Sequence, residues 1–461
     1  MTSRVAVRPV AGRGRPPAGL RPFSVVDELN CYLDSAAEPN NVHLEVWLPG
    51  QLSPSGLRAA VTAALAGSPQ ARARRAAGAW WRSRYAWECP PEPDVDPVSV
   101  VAWQDQAELD SARAQFLAAT PPLDRAPLFR LLLARGPGRD SLILNAHHAA
   151  FDGRSCLSLL SLIAEHYGGL PPQPGAADSA DTARPLPLSP ARQEPVPADR
   201  PLPAARGPAL TRPPASRLPL QRTARIASQH AHGPLPRRRA GHGVSLLGWP
   251  DVPAAPQPDV TVNDLLIAAL IQAVAGWNAA RRRWSGRVRI TMPVDTRPSG
   301  QGGEIGNLAR LCTVTVDPRA AADLTAAVAG QTAQAKDHHG PAVGPVPAAV
   351  ARARLPAPVK RWMLRLATRS LGRVGCDTSL LSNLGNVADP PRFGTLSPTR
   401  LWFSTSAHMP RGLSLGAVTV DGRLQLCLRY RNALLDEAAA RDFAAEYGAA
   451  LSALAGPRAR R

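Results

Sequence analysis

Lysine is almost missing from this chain. Lys336 and Lys360 are the only two among 54 basic residues, so arginine carries nearly all of the positive side of a formal charge of +19. A basic surface draws in anions: phosphopantetheine phosphates, coenzyme A, acidic carrier proteins and anionic headgroups. Aromatic residues are also scarce, at 5%. Apart from Arg237–Arg239 and Arg458–Arg461 the arginines are scattered and no nucleic-acid motif accompanies them, which argues against specific nucleic-acid binding. Cysteine occurs singly at 31, 89, 156, 312, 376 and 427, never as C-x-x-C, so neither a zinc ribbon nor a disulfide framework is indicated. Uninterrupted apolar runs of about 18 residues are lacking, which gives no support to a spanning helix. Met1 to Gly19 is rich in Arg and Pro with no apolar centre, unlike a secretory signal, so a cytosolic location is expected. There is no G-x-S-x-G elbow and no P-loop.

What is present is a motif at the end of an apolar strand. Ser141 to Ala146 reads as that strand, followed by His147-His148-Ala-Ala-Phe-Asp152-Gly153. Apolar residues at 156, 159, 160, 163 and 167 then recur at helical spacing until Gly168-Gly169. The motif therefore occupies a strand-to-helix turn. Such a turn can aim His148 into a cleft, with Asp152 as its orienting group and Gly153 supplying backbone freedom. A neutral imidazole with an ordinary pKa near 6.5 accepts a proton from a hydroxyl or amine, the usual general-base role in acyl transfer. His147, His148 and Asp152 are also metal-ligand types, but no third nitrogen or sulfur ligand stands at a recognisable spacing, so no metal is expected.

With 461 residues and 44% apolar content, the chain has material for two packed units. Residues 1–20 form a tail expected to be disordered. Residues 21–170 make an α+β lobe. Within it, Val42, Leu44, Val46 and Leu48 alternate with polar residues as a half-buried strand. A helix starts at Ser53-Pro54 and stops at Gly67, and Trp80 to Trp87 reads as an edge strand. Residues 171–258 contain 20 of the 49 prolines and read as a linker, with an ordered piece near His242 to Trp249. A second lobe spans 259–455, followed by a basic tail at 456–461. It opens with a buried helix from Asp264 to Trp277 capped by Asn263 and contains a strand from Val288 to Arg297. It closes with a helix from Asp436 to Leu454. Asp421-Gly422 between two alternating runs is the clearest hairpin signal in the chain.

HHAAFDG resembles the HHxxxDG motif of the chloramphenicol acetyltransferase-like superfamily, which includes nonribosomal peptide condensation domains, polyketide-associated acyltransferases and wax ester or diacylglycerol acyltransferases. Pro22 to Glu28, Ala126 to Leu131, Val262 to Leu265, Pro293 to Arg297, Gly306-Asn307 and Ser382 to Gly385 resemble further blocks of that superfamily in order, over about residues 20 to 455. The resemblance implies two acetyltransferase-like lobes, each a mixed sheet with helices, and an active-site tunnel at their interface. It implies that His148 is the general base and that Asp152 points away from substrate to pair with Arg297, while His147 is structural. It also implies that a polar turn at Ser382-Asn383 faces the tunnel, where it can serve the oxyanion.

The implied activity is a stand-alone condensation-type acyltransfer in secondary metabolism. An acyl or aminoacyl group moves from a phosphopantetheine thioester, on an acyl or peptidyl carrier protein or on CoA, to an amine or alcohol. No permanently bound cofactor is expected. No adenylation region and no carrier domain after residue 455 is recognised. Two alternatives stand beside it: a wax ester or diacylglycerol acyltransferase, supported by Asn263-Asp264 and by the basic amphipathic stretch Val359 to Leu366, which would lie on a membrane or lipid surface, and a non-catalytic carrier-docking protein. Two further patterns are set aside. Asp337-His338-His339-Gly340 lacks the trailing Asp-Gly and reads as a helix end. The glycines at 300, 302, 303 and 306 fall between strands and do not form a phosphate loop.

Overall fold

A computed structural model of the chain describes residues 20–79, 81–169, 222–229, 241–249, 252–253, 257–284, 286–297, 304–337, 345–371 and 377–455. The two tails, most of the proline-rich linker, Gly300 to Gly303 and the His338-His339 pair lie outside them. In chain order the first half contributes β1 (Arg21–Pro22), α1 (Val25–Leu33), β2 (Asn41–Leu48), α2 (Pro54–Gly67), β3 (Arg74–Arg75), β4 (Ala86–Glu88), β5 (Val98–Ala102), α3 (Gln106–Leu117), β6 (Phe129–Gly136), β7 (Arg139–His147) and α4 (Gly153–Gly168). The second half contributes β8 (His242–Trp249), α5 (Val262–Ala280), β9 (Val288–Asp295), β10 (Ala309–Val316), α6 (Leu324–Asp337), α7 (Pro345–Arg352) and α8 (Ala357–Leu371). After these come β11 (Ser379–Val387), β12 (Arg400–Thr405), β13 (Leu413–Val420), β14 (Arg423–Arg431) and α9 (Glu437–Leu454).

These elements build an α+β fold of two lobes, each with a mixed sheet. The N-terminal sheet has the order β12-β2-β7-β6-β5, the C-terminal sheet β10-β9-β11-β13-β14-β8, and a small sheet β1-β4-β3 flanks the first. The edge strand expected from Trp80 to Trp87 is instead the three-residue β4, and it is the central strand of that small sheet, paired on one side with β1 and on the other with β3. One apolar core lies under α2 and α4 in the first lobe, and a second lies between α5, α9 and the larger sheet.

Two long-range placements cross the boundaries read from the sequence. β12 belongs by sequence to the second lobe, yet it completes the first sheet, pairing antiparallel with β2 from Arg400↔Trp47 to Thr405↔Val42. β8, inside the stretch read as linker, pairs with β14 along its whole length. Residues 222–229 are built in as well: Ala224 and Ile226 are buried in the second core, and Trp277 Nε1 donates to the Ala227 carbonyl at 2.9 Å. Short apolar segments joined to a sheet far away in sequence carry no local mark that distinguishes them from linker.

β2 is not half-buried. Its polar face, carrying Asn41, His43 and Glu45, is as buried as its apolar one. Glu45 accepts from Arg113 Nε at 2.6 Å and Nη2 at 2.8 Å, from Ser141 Oγ at 2.8 Å and from Trp47 Nε1 at 2.8 Å. Alternation of period two identifies the polar face, but whether that face is solvated depends on what covers it. Here α3 supplies the covering arginine.

The cap of α5 is also corrected. Thr261, not Asn263, is its N-cap, accepting from the Asp264 N–H while the Asp264 carboxylate accepts from the Thr261 N–H, a reciprocal capping box. By length and composition α5 is apolar enough to cross a membrane, with mean hydropathy 1.2 over its most apolar window, and 67% of that window is buried inside the protein. The hairpin at Asp421-Gly422 forms as read, both residues taking positive φ (48° and 71°), the backbone a tight two-residue turn between β13 and β14 requires.

Candidate active site

The motif turn begins where β7 ends, at His147, and closes where α4 begins, at Gly153. Asp152 is the N-cap of α4, its Oδ1 accepting from the Ser155 N–H at 2.8 Å. Its carboxylate is aimed at the second lobe. Arg297 Nη2 lies 3.0 Å from both Asp152 oxygens, and the Leu308 N–H donates to Asp152 Oδ2 at 2.9 Å. Both side chains are buried, Arg297 at 3% and Asp152 at 8% exposure. Arg297 also donates to Ser155 Oγ at 2.8 Å, and its Nη1 meets Asp295 Oδ1 at 3.0 Å. The pairing implied by the resemblance is therefore present in the geometry.

The two histidines have different surroundings. His148 Nδ1 stands 3.0 Å from the Phe151 carbonyl. A carbonyl only accepts, so Nδ1 carries the proton and the neutral ring has its free lone pair on Nε2. The ring is half-buried yet packed closely by protein. That burial holds its pKa below the ordinary 6.5, against the opposing pull of Asp152 and the Phe151 carbonyl. Orientation of the imidazole thus comes from a backbone carbonyl inside the turn, and Asp152 acts on the turn.

His147 is buried at 1% exposure, and its Nδ1 accepts from the Ala149 N–H at 3.0 Å. Its proton therefore sits on Nε2, 3.7 Å from Asp34 Oδ2. A cavity of about 200 Å³ opens on this side, lined among others by Asp34, Arg75, Tyr85, Thr120, His147 and Arg361. His148 does not line it. The backbone N–H of His148 donates to the Asn40 backbone carbonyl at 2.9 Å, and the Asn40 side-chain carbonyl accepts from His408 Nε2 at 3.1 Å.

Gly153 has a different reason from the one its sequence suggested. It does not take positive φ; a Cβ there would lie 2.5 Å from Phe403 Cε2 and 2.8 Å from Leu384 Cδ2. Glycine is needed because β12 and β11 press against the first turn of α4. Ser382 and Asn383 are likewise not in a turn. They lie within β11, opposite Gly416 and Ala417 of β13, just before a bulge. Asn383 Oδ1 accepts from the Gly385 N–H at 2.8 Å, with Gly385 at φ +78°, so the polar tip of Asn383 stabilises the bulge.

Three positions tie the site together that were not singled out as site residues. Asn307 Nδ2 donates to the carbonyls of His148, at 2.9 Å, and Ala149, at 2.7 Å. Ser155 Oγ donates to the Gly306 carbonyl at 2.7 Å. Asn40 joins β2 to the turn. Gly306-Asn307 was visible as a block of the resemblance, but its job, clamping the backbone of the turn, needed coordinates.

No family model matches the chain. It is 31% identical over 439 residues to an uncharacterized protein, Rv2305, of Mycobacterium tuberculosis, covering 92% of this chain and 97% of that one. A stretch of 119 residues, 25% of this chain and 4% of the other, is 32% identical to nonribosomal peptide synthetase NPS2 of Ceriporiopsis subvermispora. Among solved structures, the first condensation domain of the calcium-dependent antibiotic synthetase, in complex with a substrate analogue, superposes with a TM-score of 0.60 at 14% identity, covering 96% of this chain and 98% of that one. The starter condensation domain of rhizomide synthetase RzmA, in complex with C8-CoA and Leu-SNAC, gives 0.58 at 13% identity, with 95% of each chain covered.

Proposed function

Because this chain belongs to the family of the Mycobacterium tuberculosis protein Rv2305 and has the condensation-domain fold of the chloramphenicol acetyltransferase-like superfamily, we propose that it is an acyltransferase of the condensation type. The observation that carries the reading is the contact of the His148 ring with a backbone carbonyl of its own turn. The ring Nδ1 is held by the Phe151 carbonyl, which leaves Nε2 as a neutral acceptor on a turn pinned by Asp152, Arg297 and Asn307.

In this reading His148 Nε2 takes the proton of an amine or alcohol as that group attacks a thioester carbonyl. The new C–N or C–O bond forms, the C–S bond breaks, and the proton passes from the imidazolium to the departing thiolate. General-base catalysis supplies about 10² to 10⁴ in rate, so positioning within the site supplies the remainder. His147, with its proton turned to Asp34, is a structural neighbour. The donor is an acyl or aminoacyl phosphopantetheine thioester, on CoA or on a carrier protein. The RzmA domain's complex with C8-CoA supports that class of donor. Action in the cytoplasm, within secondary metabolism, fits the same reading.

The test is a panel of acyl-CoA and acyl-carrier donors with amine and alcohol acceptors, run beside His148→Ala. Thioester turnover that depends on His148 is expected, and turnover that survives the substitution overturns the role. Carrier binding without turnover in the native chain would favour docking alone.

One observation favours the lipid alternative as a second reading. Val359, Trp362 and Leu366 form a stripe on α8 with exposures of 39%, 63% and 47%. A long-chain donor with a fatty alcohol, assayed on anionic vesicles, decides it: turnover confined to that pair assigns the chain to the wax ester branch.

A further inference from the structure

The odd-numbered face of β14 carries Gln425, Cys427, Arg429 and Arg431, opposite the face that gives Leu424, Leu426, Leu428 and Tyr430 to the second core. Arg429 is 1% exposed and Arg431 6%. A guanidinium this deep is normally matched by a carboxylate, because removing a charge from water is costly unless it is paired. Among the described residues Arg429 has no such match. Its Nη2 donates to His242 Nε2 at 3.0 Å, and its Nη1 is buried with no hydrogen-bond partner among them. Arg431 Nη2 donates to the Ala37 carbonyl at 2.7 Å, and Glu38 Oε1, at 4.0 Å from Arg431 Nε, is already engaged by the Met409 N–H at 2.9 Å.

These groups line one narrow cleft together with Ala407 and His408. Two guanidiniums, Arg429 and Arg431, share it with one carboxylate, Glu38, so cationic charge is in excess. Burial, together with Arg411, Arg429 and Arg431, lowers the His408 pKa to about 3, and burial lowers that of Arg429 to about 10, so near neutral pH the histidine is uncharged and the guanidinium cationic. The cleft is next to the proposed base, since His408 bonds to the side chain of the same Asn40 whose carbonyl accepts from the His148 N–H.

We propose that this cleft binds a carboxylate carried by the substrate, held in the fork of Arg429 and by Arg431 beside His148. A carboxylate is planar and offers two oxygens to a guanidinium. The cleft is closed as it stands, so the group enters only as the lining side chains shift. The proposal deepens the acyltransfer reading and rests on it for the identification of the anion as substrate.

Its test uses no turnover, so failure of one is distinguishable from failure of the other. The thermal midpoint of the full chain is followed as sodium acetate replaces sodium chloride at constant pH and ionic strength, with inorganic phosphate as a separate arm. A saturable rise of about 2–4 °C at tenfold excess over Kd is expected with acetate. It should be lost in Arg429→Met and weakened in Arg429→Lys, which keeps the charge, guards against a folding failure, and lacks the fork. No rise over chloride, or an equal rise in both variants, overturns the proposal. A response to phosphate alone overturns the carboxylate assignment and gives the cleft to a phosphate.

Discussion

Arg297 and Asp152 join the two lobes at the HHAAFDG turn, and removing either leaves the other buried without its partner. Both are under a tenth exposed, and Arg297 Nη2 lies 3.0 Å from each carboxylate oxygen, so screening by solvent is slight. Breaking a buried pair from one side costs about 3–5 kcal/mol, most of it the stranded charge. Asp295 softens this for Asp152→Ala, because it still holds Arg297 Nη1 at 3.0 Å. Arg297→Met leaves Asp152 its two backbone donors, the Ser155 and Leu308 N–H groups, but no counter-charge, and should be the costlier single change. In a cooperative unit of 150–250 residues its cost lowers the thermal midpoint by roughly 6–20 °C. The double variant Asp152→Ala/Arg297→Met should cost clearly less than the two singles summed, a coupling of about 1–3 kcal/mol. Calorimetric or denaturant unfolding of the four proteins reads this directly. Additive losses, or singles costing under 1 kcal/mol, would refute the claim that the pair acts as a pin.

His148→Ala should lower thioester turnover by about 10² to 10⁴ while shifting the thermal midpoint little; an equal loss in both would mark the residue as structural. Because burial depresses the folded-state pKa of His148, its neutral, base-competent form persists below pH 6.5. Activity should therefore hold as pH falls through 6.5 and drop only below it, in a kcat/KM profile of the native chain; an acid limb above 6.5 contradicts the assigned environment. Gly153→Ala should cost about 1–3 kcal/mol from contact with Phe403 and Leu384, seen in unfolding, and Gly153→Ala/Phe403→Leu should recover part of it. Lys360→Met should destabilise by about 3–5 kcal/mol, since it strands Glu28 at 2% exposure, and Glu28→Gln/Lys360→Met should cost less than Lys360→Met alone.

The HHAAFDG turn was legible because its parts are local. An apolar strand, a motif with fixed spacing and a helix of period 3.6 are all written within 27 consecutive residues, 141 to 167. The Asp421-Gly422 hairpin was legible for the same reason. What stayed hidden depends on what packs against what. Lys360 belongs to the basic amphipathic stretch Val359 to Leu366, yet it is fully buried, donating to the Ser83 carbonyl at 2.5 Å and the Ala351 carbonyl at 2.6 Å beside Glu28. Asn263 and Thr261 are both good caps by residue type, and only the backbone decides between them. Ser382-Asn383 has the composition of a turn, but flanking strands on the larger sheet draw it into β11. The clamp by Asn307 spans 159 residues from His148, and no periodicity reports on such a distance.

The six residues of β12 also set how the molecule can breathe. They leave their own half of the polypeptide, lie down beside β2, and return to β13, so the halves are laced rather than hinged. Swinging them apart would unzip that ladder and expose Phe403 and Leu401, both essentially inaccessible to water. Traffic to the site must then pass between side chains and surface helices while the scaffold stays shut. Severing the chain in the proline-rich stretch should give two pieces that copurify, with the later one still threaded through the earlier.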